Sequence, residues 1–108
     1  MDQLASKNKV LESRRVQRRS EIEELASERD SVGRNLDLLN LEIEAVEPLV
    51  KAALAPETRL INLRRDKENL VGRLKSIPYA IQRIQGAISE IDEQLASEEQ
   101  IFLTQSLT

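Results

Sequence analysis

The apolar residues of this 108-residue chain recur by threes and fours from one end to the other, a spacing that fits a helical stripe and no strand. Sorted at intervals of seven, they form two seams before an Ala55-Pro56 interruption and two after it. The first two are Leu4, Leu11, Arg18, Leu25, Val32, Leu39, Val46 and Asn8, Arg15, Ile22, Arg29, Leu36, Ile43, Val50. The second two are Leu60, Lys67, Leu74, Ile81, Ile88, Leu95, Phe102 and Leu63, Leu70, Ile77, Ile84, Ile91, Glu98, Gln105. Twenty-one of these 28 seats are apolar, where the chain-wide 40% would fill about eleven. A heptad stripe sustained this long needs a second helix to cover it. The reading is therefore an all-α chain, an antiparallel two-helix coiled-coil hairpin in a single domain, with helix one at about 4–53, a tip at about 54–57 and helix two at about 57–104.

The break has a mechanism. Pro56 cannot donate to Ala52, and its ring disfavours helical dihedrals at Ala55, so helix one is expected to stop there. Glu57 then places a carboxylate among the unpaired N–H groups of the next helix. Pro48 removes one backbone bond and is expected to kink the last turns of helix one. Pro78 removes the bond to the Leu74 carbonyl and is expected to bend helix two, although the spacing Leu74, Ile77, Ile81, Ile84 runs through it unbroken. A third helix starting after Pro78 is the rival, with Ile77 in a tight turn. Gly33 falls almost opposite Pro78, where a missing Cβ either leaves room for an inward kink or is a coincidence of placement.

What the composition lacks narrows the fold and the chemistry further. One Phe, one Tyr and no Trp, against 32% charged residues, cannot fill a thick globular core. A two-helix seam of this kind is expected to leave every seat partly exposed. With no Cys and no His there are no disulfides, no thiol nucleophile and no soft metal ligands. Glu23, Glu24 and Glu28, or Glu90 and Glu93, share helix faces, but no His stands near to complete an acid/base pair. Gly33, Gly72 and Gly86 are too far apart for a phosphate loop. No catalytic, cofactor or metal residue is assigned, and the chain is not read as an enzyme.

Charge supplies the register. Folding the chain about Ala55 sets the basic segment Lys7 to Arg19 against Asp92, Glu93, Glu98 and Glu99, and sets Asp37, Glu42, Glu44 and Glu47 against Arg64, Arg65, Lys67, Arg73 and Lys75. Arg15, Arg18, Asp92, Glu98 and Glu99 are the register residues: the guanidinium stems lie on the seam and their charges reach Asp92 or Glu99. Exposed pairs of this kind select register more than they stabilise. Arg14, Arg15, Arg18 and Arg19 also form the one notable basic patch. A formal charge of −3 and a pI near 5.1, with no interleaved aromatics, argue against nucleic acid.

From Leu41 to Phe102 the sequence resembles a known family. The carriers are the run Glu47-Pro48-Leu49-Val50-Lys51-Ala52-Ala53-Leu54-Ala55-Pro56-Glu57-Thr58-Arg59-Leu60, then Leu63, Leu70, Gly72-Arg73-Leu74, Ala80-Ile81, Ile84, Ala87-Ile88, Ile91 and Gln94-Leu95. This stretch is similar to the long α-helical hairpin of the periplasmic adaptors of type I secretion, the membrane fusion proteins of the haemolysin-D type, above all those of protease and lipase exporters. The first third of the chain matches only as generic coiled coil.

The resemblance implies a periplasmic hairpin from a protein anchored in the bacterial inner membrane, with the transmembrane helix and β-rich domains lying outside these residues. It also implies six adaptors side by side, an inner-membrane ABC transporter at one end and a TolC-like outer-membrane duct at the tip. Adaptors of the broader family carry Arg, Leu and Ser at the tip; the corresponding seats here are Ala45, Leu49 and Pro56, so only Leu49 is kept. Leu49 belongs to neither seam, and it either packs over the loop beside Leu60 or stays exposed. The resemblance favours a docking tip of Leu49, Lys51, Pro56 and Arg59, an apolar anchor in a polar rim. The alternatives are a scaffolding coiled-coil arm of an unrelated complex and a nucleic-acid-binding helical module.

Overall fold

A computed structural model describes residues 2–107. It contains two helices, α1 (Asp2–Lys51) and α2 (Glu57–Leu107), and no strand among the described residues. The fold is all-α, an antiparallel two-helix hairpin. The chain divides into two compact units, one formed by residues up to Leu25 with those from Ala80 onward, the other by Ala26–Tyr79. In the first, Lys7 meets Glu98 and Arg15 meets Asp92. In the second, Glu28 meets Arg73 and Glu42 meets Arg59. Rising numbers on α1 meet falling numbers on α2 within each unit.

The seam forms the core. Leu11, Val32, Val46, Leu60, Leu63, Ile77 and Ile91 are the buried apolar residues, and each occupies a heptad seat read from the sequence. Leu11 and Ile91 belong to the first unit and the other five to the second. Ile77 is wholly buried, which corrects the expectation that every seat stays partly exposed. Most remaining seats are half-buried, whereas Arg18, Arg29, Phe102 and Gln105 are exposed. The outward faces keep Val16, Leu38, Leu41 and Tyr79 in solvent.

Helix one ends earlier than Pro56 requires, and by another device. Ala53 has φ 59°, the left-handed region. The Leu54 N–H donates to the Leu49 carbonyl at 2.7 Å and the Ala53 N–H to the Val50 carbonyl at 3.0 Å. Together these are the two bonds of a Schellman ending, which satisfies carbonyls that the last turn would leave bare. The helix therefore stops at Lys51, the link is 52–56, and Pro56 only precedes α2, its carbonyl accepting the Arg59 N–H at 3.2 Å. Pro48 lies inside α1, which continues past it.

Pro78 lies inside α2, and the helix runs unbroken from Glu57 to Leu107, so the three-helix alternative is set aside. The burial of Ile77 supplies a reason: a turn there would move the most deeply buried side chain out of the seam. The Ser76 hydroxyl donates to the Arg73 carbonyl at 2.9 Å in the same turn. Gly33 makes no room for Pro78. A Cβ built on it meets nothing within 4 Å, and the same holds at Gly72 and Gly86.

Candidate docking tip and register charges

In heptad notation the seam seats are a and d, with a at Asn8 in α1 and at Leu60 in α2. Antiparallel helices bring g seats against g seats and e against e, and the charges of the second unit follow that geometry. Glu28 and Arg73 are both g, as are Glu42 and Arg59, while Glu47 and Arg64 are both e. The Glu28–Arg73 pair is a two-bond fork, both contacts at 2.6 Å. Its hydrogen bonds hold the Glu28 carboxyl below its ordinary value and raise Arg73. Both side chains remain in solvent, so the pair is better at fixing register than at adding stability. Arg73 thus pairs with Glu28 and not with the acids nearer the tip, because its own g seat faces Glu28.

In the first unit Arg15 donates to Asp92 at 2.9 Å and Lys7 pairs with Glu98 at 2.9 Å. Arg18 departs from the sequence reading: it bonds Glu21, three residues along its own helix, through two contacts at 3.0 and 3.3 Å. A partner one turn away on the same helix needs no reach across the seam, and Arg18 is accordingly exposed. Glu99 makes no ion pair among the described residues and lines an open groove with Asn8, Arg15, Leu95 and Phe102. The Asn8 Oδ1 beside it is buried with no hydrogen-bond partner. Of the four clustered arginines, Arg15 and Arg18 are therefore neutralised within the hairpin.

At the turn, Leu49 is 41% exposed although Leu60 is buried. The side chain stays partly in solvent, outside the seam. Leu54, which the sequence reading passed over, is 76% exposed. The Schellman bond ties the backbones of Leu49 and Leu54, so the tip carries two apolar residues on one closed turn. The polar rim is turned inward: Lys51 pairs with Glu47 at 3.5 Å and Arg59 with Glu42 at 3.7 Å. Glu47 takes Arg64 as well, at 3.6 Å. Pro56 is exposed. The tip is an apolar cap above satisfied charges, and no group in it is activated for proton transfer or nucleophilic attack.

Among the described residues no three acidic side chains converge as a metal cage, and no helix is long and apolar enough to cross a membrane. The grooves along the hairpin are open and run beside the helices at Leu4, Lys7, Val10 and Glu98. No curated protein and no solved structure matches the chain. A family match does exist, to "AprE, long alpha-helical hairpin", and it covers residues 1–108. With two antiparallel helices, a heptad seam and an apolar turn already in place, that full-length match shows that the chain belongs to the family of the long α-helical hairpin of AprE-type adaptors.

Proposed function

We propose that this chain is the periplasmic hairpin of a type I protein secretion adaptor. It bridges an inner-membrane ABC transporter and a TolC-like outer-membrane duct, acting as one of six copies around the export path. The family match over residues 1–108 carries the reading. The open grooves and the lack of His and Cys suit a scaffold that positions partners and leaves the chemistry to them.

Docking is assigned to the turn. Leu49 and Leu54 form the anchor, and Lys51, Pro56 and Arg59 form its border. Interfaces of this kind concentrate their energy in a few apolar residues shielded by a polar rim. Burying two leucines on a partner removes apolar surface worth roughly 1.5–3 kcal/mol for each side chain fully covered.

The test is export from cells that depend on the protein. Leu49→Asp and Leu54→Asp are each expected to lower secretion by about tenfold or more, because a carboxylate at the centre of an apolar contact is left without a partner. Helix content and the thermal midpoint remain near the parent, since neither side chain belongs to the seam. Unchanged secretion in both variants refutes tip docking. Secretion that persists without the protein altogether refutes the adaptor role and leaves a scaffolding arm.

A further inference from the structure

The outer face of α1 carries an apolar stripe that the hairpin does not use. Leu38, Leu41, Ala45 and Pro48 follow one another at helical spacing, all exposed, with the two leucines 64% and 62% in solvent. On either side stand Arg34, Asp37 and Glu44, none of which makes an ion pair among the described residues. The outer face of α2 carries the stripe Ile61, Arg65, Glu68 and Gly72, also exposed. Arg65 and Glu68 again have no partner among the described residues. The charges beside the seam are consumed within the hairpin, and those on the outer faces are left over.

The two stripes match each other in level and in sign. Glu42–Arg59, Glu47–Arg64 and Glu28–Arg73 fix which residues stand side by side. Interpolating between them sets Arg65 level with about Leu41, Ile61 with about Ala45 and Glu68 with about Asp37. In a second hairpin set alongside in the same orientation, α2 runs antiparallel to the first copy's α1 at those same levels. Its Arg65 then falls between Asp37 and Glu44, each about 4–6 Å away along the axis at ~1.5 Å per residue. Its Ile61 meets the apolar stripe at Ala45, and its Glu68 is within reach of Arg34. Stripe against stripe is the poorer choice, because it brings Asp37 and Glu44 onto Asp37 or Glu44 in either direction, and like charges in contact disfavour an interface.

We propose that a second copy of this chain occupies the outer face of α1, and that the contact is heterologous: the α1 stripe Leu38, Leu41, Ala45, Pro48 receives the α2 stripe Ile61, Arg65, Glu68 of the neighbour. The inference rests on the adaptor reading for the side-by-side setting of the copies; the polarity and level come from the hairpin itself. Such head-to-tail contacts close into rings when the rotation per copy allows it.

The chain has no cysteine, so engineered ones report cleanly. Ala45→Cys and Ile61→Cys are placed in separately tagged copies of the protein in its native envelope, and the cells are treated with a mild oxidant. Co-expression is expected to give a disulfide-linked heterodimer at least about tenfold above either variant alone, since a disulfide needs Cα atoms within about 7 Å. In the same background Arg65→Glu lowers the yield about tenfold, and Glu44→Arg restores it. Self-crosslinking of Ala45→Cys alone at the mixed level overturns the heterologous polarity. An Arg65→Glu variant that crosslinks as well as the parent overturns the charge register. Crosslinks to another protein in place of a second copy overturn the occupant. No crosslink while export proceeds removes this interface and leaves the adaptor reading standing; a crosslink in cells whose export does not need the protein removes the adaptor reading and leaves the packing.

Discussion

Ala53 is the residue at which a single methyl group works against the fold, and replacing it with glycine is expected to stabilise the hairpin. At φ 59° its Cβ crowds the backbone, at a cost of roughly 1–2 kcal/mol for an L-residue. Glycine removes that cost but brings back about 0.4–1 kcal/mol of unfolded-chain freedom. The net gain for Ala53→Gly is therefore about 0.5–1 kcal/mol. In a chain of this size that raises the midpoint by roughly 2–8 °C. The loop bonds Leu54 to Leu49 and Ala53 to Val50 are unaffected, since both use backbone atoms. Thermal unfolding followed by the helical circular dichroism signal measures the change. Ala52→Gly is the control: Ala52 is not in the left-handed region, so glycine there brings only the entropic penalty and lowers the midpoint. A midpoint for Ala53→Gly at or below the parent, with Ala52→Gly indistinguishable from it, refutes the Schellman ending and returns the helix stop to Pro56.

Four further outcomes follow from the packing and charges. Ile77→Ala is expected to cost about 2–5 kcal/mol, against less than about 0.5 for Leu41→Ala, and urea unfolding of the two variants separates a seam seat from an outer one. Gly33→Ala and Gly86→Ala are each expected to add about 0.5–1 kcal/mol, because a Cβ meets open space on a helix that prefers alanine; a loss at either site, read by the same unfolding curves, refutes the open surroundings. Glu28 titrates lower when folded than unfolded, so its contribution is fully present above the ordinary carboxylate pKa and vanishes as pH falls through the lowered value; the melting difference between the parent and Glu28→Gln is expected to close in acid and persist at neutral pH. Exchanging the charges of Arg15 and Asp92 together is expected to restore most of the midpoint lost on reversing either alone, which a double-mutant cycle tests.

The seam was legible because burial and periodicity are the same fact seen twice. A helix presents one stripe to its partner, and all seven buried residues sit in seats chosen by sevens. Where a seat is exposed, local chemistry intervened. Arg18 found Glu21 on its own helix before any acid across the seam. Phe102 lies beyond the level of the Lys7–Glu98 pair, where α1 supplies only its first turn to cover it. Charge blocks gave the antiparallel sense but misplaced Arg73, because block matching averages over several residues whereas a g seat faces one g seat. Two opposite carboxylates a turn apart are equivalent to the former and different to the latter.

The turn was the hard part, for a reason that carries over to its function. Periodicity ranks side chains only while the helix continues, so it had nothing to say about Leu54, one residue past the left-handed step at Ala53. A glycine at 53 would have announced that step; alanine adopts it here because two backbone bonds and the exposed surroundings of the loop outweigh the crowding of one methyl group. Pro56 was the visible signal and pointed to the wrong residue, since the helix had already closed on its own carbonyls at Lys51. The same closure is what keeps two leucines on a short, fixed turn. Had the helix run on to Pro56, residue 54 would have continued the α1 surface, and Leu49 would have stood alone. Ending the helix early by a strained alanine therefore sets the geometry of the apolar tip, and Ala53→Pro, which cannot reach a positive φ, is expected to lower export even where the helices stay folded.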